Sequence, residues 1–133
     1  MYKFIIFLVF IATSPSVLAE WQRLADDKKN EIVFIDLETV MQTGPMAIYR
    51  RVNVLIQAAE IGKILSKLAV HEYDCMNTKM RILETSGFSG KWADGEKMTL
   101  PPEATELKEW HKLPSTSLGQ KTFNILCPGG ENS

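Results

Sequence analysis

Residues 46–57 read MAIYRRVNVLIQ, and this stretch decides the fold because apolar side chains recur at every second position. Successive side chains of a β-strand point to opposite faces, so Val52 and Val54 share one face while Arg51 and Asn53 share the other. Arg50 is the single interruption on the apolar face. The pattern predicts a long strand that buries one face and turns the other toward solvent.

Shorter strand patterns flank this segment on both sides. Residues 21–25 alternate weakly, and residues 32–35 form a β-branched and aromatic run that we expect to be covered on both faces. Residues 67–75 and 78–85 predict a hairpin joined through Met76 and Asn77, and residues 96–100 predict a short edge strand. Residues 58–65 leave two interpretations open, a helical turn or a loop.

One helix is predicted near the end of the chain. Pro114 and Ser115 form a helix start, with Ser115 as N-cap, and Pro128 ends the segment. Apolar residues follow at helical spacing: Leu118, Thr122, Ile125 and Leu126. The predicted fold class is therefore α+β, a small antiparallel sheet of about five to six strands with a C-terminal helix.

The first nineteen residues are interpreted as a cleaved secretory signal peptide. Lys3 gives a positive start, nine apolar residues follow, and Val17-Leu18-Ala19 places small residues before a cut. The apolar run is too short to span a membrane, so we expect no stable membrane insertion. Residues 20–133 then form a single exported domain, and Glu20 stands where a lipoprotein would carry its anchoring cysteine.

Composition narrows the range of functions. The chain has 133 residues, 45% of them hydrophobic and 23% charged, which is typical of one globular domain. A net charge of −1 gives no electrostatic reason to expect a nucleic-acid partner. Cys75 and Cys127 are the only cysteines, so an exported chain allows one intramolecular disulfide, with two free thiols as the alternative.

No catalytic or metal-binding constellation is recognisable. The run from His71 to Asp74 contains metal-ligand types, but strand alternation puts His71 on the face opposite Glu72 and Asp74. We therefore interpret these residues as partly exposed strand polars. The segment from Gly87 to Lys91 departs from a nucleophile elbow by the position of its second glycine. We expect no enzyme activity, no metal and no cofactor.

Binding candidates are aromatic and basic. Trp21 and Trp110 are interpreted as core residues, whereas Trp92, set among glycines and charged residues, is as consistent with an exposed binding aromatic as with a buried one. Residues 46–91 carry a net charge of +3. If their strands are neighbours, Arg51, Lys79 and Arg81 share one face, suited to an acidic protein surface or a sulfated polysaccharide; the alternative is an ordinary solvated face.

The order of landmarks resembles the surface-adhesin protein E-like family of Gram-negative bacteria over nearly the whole exported chain. The two cysteines, with Asp74 just before the first, carry most of the resemblance. The other landmarks are Trp21, Phe34-Ile35-Asp36, Ile48-Tyr49-Arg50-Arg51, Tyr73, Trp110 and Pro114-Ser115. The resemblance implies a small antiparallel sheet whose C-terminal helix is tied to it by Cys75–Cys127. It also implies adhesion to host extracellular-matrix proteins.

Together these features predict an exported, non-enzymatic module that binds another protein, either a host matrix protein or an envelope component. The alternative is a soluble periplasmic structural or envelope-accessory protein. The family's adhesive residues follow no motif that can be transferred to this chain. Periplasmic and secreted locations both remain open, and exposed strand edges are compatible with a homodimer.

Overall fold

The structure, a computed structural model, describes residues 21–26, 32–61, 63–101, 108–113 and 118–128. The predicted signal peptide and the predicted N-cap Ser115 lie outside these residues. The elements are β1 (Trp21–Asp26), β2 (Ile32–Thr43), β3 (Tyr49–Ile61), β4 (Ile64–Asp74), β5 (Lys79–Phe88), β6 (Lys97–Met98), β7 (His111–Lys112) and α1 (Leu118–Leu126). Among the described residues no helix is long and apolar enough to cross a membrane.

The strands form one antiparallel sheet in which neighbours in sequence are neighbours in space. The order is β1-β2-β3-β4-β5-β6. Strand β7 also pairs with β5, at the opposite end of β5 from β6. Strand patterns that are separated by short turns in the sequence are expected to form adjacent antiparallel strands. The predicted α+β class, with an antiparallel sheet and a C-terminal helix, is confirmed.

The two faces of the sheet differ in what covers them. Directly paired residues share a face, so Ile35 lies beside Val54 on the face that we call the core face. Helix α1 packs its apolar side on this face. The buried cluster there comprises Val33, Ile35, Val52, Val54, Tyr73, Met80, Phe123, Leu126 and Cys127. The alternation in residues 46–57 therefore predicted the core side of β3 correctly.

Strand β2 extends well beyond the predicted 32–35 because a bulge accommodates its polar residues. The register with β3 shifts between Asp36 and Met41. The Asp36 carboxylate accepts a hydrogen bond from the Glu38 backbone N–H at 3.1 Å, and the Thr39 hydroxyl accepts one from the Asn53 N–H at 2.9 Å. These side-chain acceptors replace ladder contacts that the bulge removes, so the strand continues to Thr43.

Strand β3 begins at Tyr49, three residues later than predicted, because the chain turns tightly before it. Gly44 has φ +75°, and a Cβ at this position would clash with the Tyr49 ring. Met46 and Ala47 also adopt positive φ values of 56° and 55°. At its other end β3 extends into residues 58–65. The sequence left two interpretations of these residues, a helical turn or a loop, and both are wrong. Ile61 instead pairs with Ile64 across a tight hairpin.

The predicted disulfide is confirmed and fastens α1 to the end of β4. Cys75 and Cys127 are bonded, with their Cα atoms 5.4 Å apart and 52 positions apart in sequence. The adjacent β4–β5 turn is held by the Asp74 carboxylate, which accepts hydrogen bonds from the backbone N–H groups of Met76 and Asn77 at 3.0 Å. Cys75 is therefore presented to the helix from a fixed turn.

Removing this cross-link should destabilise the folded domain. Replacing both cysteines by alanine reopens a closed loop that the chain-entropy model values at roughly 4 kcal/mol. We expect a clearly lower midpoint in urea at pH 7, measured by circular dichroism under non-reducing conditions. An unchanged midpoint, or two reactive thiols in the folded unreduced protein, would contradict the role given to the bond.

Candidate functional site

The face opposite the core, here called the outer face, carries a row of three charged residues from three adjacent strands. Arg51 of β3 pairs with Glu72 of β4, and Glu72 pairs with Arg81 of β5. Because directly paired residues share a face, the two arginines flank the carboxylate from both sides. The predicted placement of Arg51 and Arg81 on one outer face thus agrees with the register.

Glu72 is buried at the centre of this row and is fully hydrogen-bonded. Its side chain is only 1% exposed. Arg51 donates from Nε and Nη2 to Oε2 at 3.2 and 2.9 Å, and Arg81 donates from Nε and Nη2 to Oε1 at 2.9 and 2.6 Å. The Thr43 hydroxyl donates a fifth bond to Oε2 at 2.8 Å. We call these four residues the Glu72 network.

The network keeps Glu72 ionised although the carboxylate is buried. Burial alone acts to raise the pKa of Glu72, because it disfavours the charged form. Hydrogen bonds from Arg81, Thr43 and Arg51, and the Arg81 charge, outweigh that effect and hold the pKa below its ordinary value of 4.5. The expectation that Glu72 and Asp74 are partly exposed strand polars is therefore wrong, since both are buried.

Arg81 is fixed from a second direction by an aromatic pair. Its guanidinium carbon lies 4.4 Å from the centroid of the Trp110 ring, a cation–π geometry. Trp110 in turn packs against Tyr49, with ring centroids 4.8 Å apart. The interpretation of Trp110 and Trp21 as core residues is wrong. Both are half-buried and neither belongs to the buried cluster, because β7 places Trp110 beside the outer face.

Lys79 extends the cationic row toward the edge of the sheet. It lies opposite Asp74 on one side and opposite Lys112 of β7 on the other. Asp74 is buried and occupied by the turn, and hydrogen bonds from Asn77 and Met76 hold its pKa below the ordinary value against the effect of burial. Sequence reasoning missed Lys112 and assigned Trp110 to the core, because a two-residue strand leaves no periodicity to detect.

Trp92 lies at the far end of the same face and is 52% exposed, so the buried alternative is wrong. Its ring packs on Phe34 with centroids 4.8 Å apart. Phe34 pairs with Leu55, so Trp92 covers the outer side of β2 and β3 there. The expectation that residues 32–35 are covered on both faces is confirmed at this point, since Phe34 is shielded by Trp92 and Ile35 is buried in the core.

The loop of residues 89–96, here called the Trp92 loop, is held rigidly. Two buried strand side chains bind its backbone. Gln57 Oε1 accepts from the Trp92 N–H at 2.6 Å, and Ser66 Oγ accepts from the Ala93 N–H at 3.0 Å. Trp92 and Ala93 adopt positive φ values of 60° and 55°, which cost roughly 1–2 kcal/mol each in a non-glycine residue. Strain retained in an exposed loop motivates a functional interpretation of Trp92.

His71 belongs to the opposite, core face, as the alternation predicts. Its Nδ1 lies 3.5 Å from the Tyr73 hydroxyl, and its buried Nε2 has no hydrogen-bond partner among the described residues. Burial, with a smaller contribution from the charge of His111, lowers the pKa of His71 from 6.5 to about 4. Within the same residues no group of three or more His, Cys, Asp or Glu side chains gathers to hold a metal.

Comparison with known proteins identifies relatives of this fold. A family model described as surface-adhesin protein E matches residues 21–128. No curated protein matches the chain. Solved structures of protein E from Haemophilus influenzae are similar at low sequence identity, so they show the likeness of the fold alone.

The selenomethionine form of Haemophilus influenzae protein E superposes with a TM-score of 0.63 at 14% identity, covering 88% of this chain and 93% of that chain. Its crystal form II gives a TM-score of 0.61 at 14% identity, with 92% and 98% covered. Protein E from a non-typeable strain gives 0.57 at 17% identity, with 92% and 85% covered.

Breaking one side of the Glu72 network should destabilise the protein in a pH-dependent way. Arg81→Ala leaves a buried carboxylate with half of its ion pairing, which costs about 3 kcal/mol at pH 7. A depressed pKa stabilises the fold above the unfolded value of 4.5, and that contribution disappears as the pH falls through the lower folded value. The difference between variant and parent, measured by urea unfolding, should therefore shrink below pH 4.

Lys79→Ala is the matched control, because Lys79 shares the outer face without bonding Glu72. We expect it to change stability by less than about 0.5 kcal/mol. Equal effects of the two substitutions at pH 7 would show that Glu72 does not depend on Arg81.

His71 should dominate the pH dependence of stability in a higher window. Between pH 6.5 and 4 the unfolded chain binds a proton at this histidine that the native state does not, so stability falls as the pH falls. His71→Gln should remove a loss on the order of 2 kcal/mol between pH 7 and 4.5. Urea unfolding at both pH values measures it. His111→Gln removes only the smaller cause of the lowered His71 pKa and should therefore remove only a minor part of the loss. A parent protein equally stable at both pH values would contradict the assignment.

Proposed function

The chain belongs to the surface-adhesin protein E family, and on that premise we propose that it is an exported, non-enzymatic module that binds another protein through its outer face. The partner class that the family suggests is a host extracellular-matrix protein. An envelope component is the second candidate, since the family match does not identify the partner.

One observation carries this proposal: among the residues that the structure describes, the outer face is ordered and no helix covers it. Helix α1 covers the core face, whereas the outer face displays Arg51 and Arg81 with side chains 39% and 28% exposed. Their positions are fixed by Glu72 before any partner arrives. Binding groups that are already immobilised lose little conformational entropy on association. An open, preorganised cationic and aromatic surface is what a protein-binding module requires.

Trp92 contributes the second element of this surface. Tryptophan and arginine are the residue types most enriched among the side chains that dominate protein interfaces. The Trp92 loop presents a half-exposed indole from a rigid backbone, at the other end of the face from Arg81. Along β3, the six residue-to-residue steps from Arg51 to Gln57 span roughly 20 Å at about 3.3 Å per step, which suits an interface of ordinary size.

Non-enzymatic binding is the interpretation that family and fold favour. The charged residues that converge on the outer face bind one another, and Glu72 is held ionised and fully hydrogen-bonded rather than poised for proton transfer at neutral pH. Such a carboxylate acts as a structural anchor for cations. The arrangement supports recognition of a partner more directly than it supports chemistry.

The location of the protein separates the two candidate partners. An adhesin must be reachable from outside the cell, whereas an envelope-accessory protein need not be. We expect a membrane-impermeant lysine-reactive label to modify the protein on intact cells. Labelling only after the outer membrane is permeabilised would move the proposal to the periplasmic alternative.

Replacing Trp92 should weaken binding without unfolding the domain. Trp92→Ser should reduce capture on immobilised matrix proteins by roughly tenfold or more, because truncation of such an anchor commonly costs 2 kcal/mol or more. Ile125→Ser is the matched control, since Ile125 is 44% exposed on α1, away from the outer face. Surface plasmon resonance measures both variants, and equal binding by them would contradict a role for Trp92.

A further inference from the structure

The Glu72 network leaves the outer edge of each arginine unused. A guanidinium group carries five N–H donors in a planar fork. Glu72 takes Nε and one Nη2 donor from each arginine. Within the described part of the chain no acceptor lies at hydrogen-bond distance from Nη1 of Arg51 or Arg81. Each side chain therefore keeps its Nη1–Nη2 end, which has the spacing that binds a carboxylate through two parallel hydrogen bonds.

Two lysines stand directly opposite each other beside this row. Lys79 of β5 and Lys112 of β7 are paired residues, and like charges in such a position destabilise a sheet. Asp74 lies opposite Lys79 on the other side and attracts it, but this carboxylate is buried and does not face Lys112 directly. Glu72 and Asp74 are buried and engaged in their own hydrogen bonds. Four cations against the two carboxylates leave an excess of positive charge on this row, which an external anion placed over it would compensate.

We propose that Arg51, Arg81, Lys79 and Lys112 form a binding site for the carboxylates of an acidic peptide segment in a partner protein. This inference rests on the proposed function and specifies its partner chemistry. Glu72 is a positioning residue that holds the two guanidinium forks, and the Trp110 ring packs against the Arg81 guanidinium. Neighbouring acidic side chains of the partner then engage the forks, while the lysines contribute less directional attraction.

A sulfated polysaccharide fits this surface less well. Polyanion binding depends on dense charge of one sign extending along the surface. Here the cations surround two buried carboxylates, and the exposed Glu84 lies on β5 just beyond a register shift that follows Ile82. The geometry therefore suits a short segment with a few carboxylates rather than a long sulfated chain.

The test uses three probes with the exported chain: a hexaglutamate peptide, a hexaglutamine peptide and a heparin hexasaccharide. Binding is followed at low salt by ¹⁵N–¹H spectra that resolve the Nε–H groups of Arg51 and Arg81. We expect saturable shifts of these two signals with hexaglutamate and none with hexaglutamine. Tighter binding of the heparin fragment than of hexaglutamate would overturn the acidic-peptide proposal.

Two double variants separate fork recognition from simple charge. Arg51→Lys with Arg81→Lys keeps a positive charge on each side of Glu72 but removes the forks, and should weaken hexaglutamate binding roughly tenfold. Lys79→Gln with Lys112→Gln, outside the Glu72 network, should weaken it several-fold. Lys63→Gln with Lys121→Gln makes the same charge change on exposed residues elsewhere and should leave binding unchanged.

The outcomes distinguish this inference from the proposed function. Unaltered hexaglutamate affinity in both the arginine and the lysine variants would overturn the site, even if matrix proteins still bind through Trp92. Saturable, fork-dependent hexaglutamate binding supports the site, even if intact-cell labelling excludes an adhesin. Thermal melts of each variant establish that the compared proteins are folded.

Discussion

The outer half of the structure depends on one constraint, the burial of the Glu72 carboxylate in the middle of the sheet. An ionised carboxylate removed from water is costly unless it is paired and fully hydrogen-bonded. Arg51, Arg81 and Thr43 meet that requirement only while β2, β3, β4 and β5 keep their present register. A slip of one residue would turn Glu72 into the apolar core. The buried charge therefore specifies strand register as well as organising the surface.

The same constraint divides the sheet into two faces with different tasks. The core face supplies the hydrophobic burial, and the disulfide fixes α1 against it through a turn that Asp74 orders. On the outer face, buried polar groups and the strained loop that presents Trp92 lower the stability of the fold. Stability supplied by one face permits an ordered surface on the other, which no helix covers in the described part of the chain. This separation agrees with the family membership of the chain and with a role in binding.

Much of the fold can be predicted from the sequence because the local spacing of apolar residues indicates the strands. Alternation in β3 predicts which residues enter the core, the two cysteines in an exported chain predict the disulfide, and Met76-Asn77 marks the β4–β5 turn. Only part of the candidate site could be predicted from the sequence. Alternation places Arg51 and Arg81 on one face, but nothing local shows that Glu72 lies between them, since that depends on pairing across two strand interfaces. Lys112 was missed and Trp110 was assigned to the core because long-range pairing alone gives β7 its position.

The most direct test of this account is the pKa of Glu72 in the folded protein, followed through the ¹³Cδ chemical shift of its carboxyl group during an acid titration. The account predicts a midpoint clearly below the ordinary value of 4.5, because three donor side chains stabilise the ionised form against the effect of burial. A midpoint above 4.5 would be the behaviour of a buried carboxyl without effective partners. That result would contradict the network, and with it the preorganised outer face.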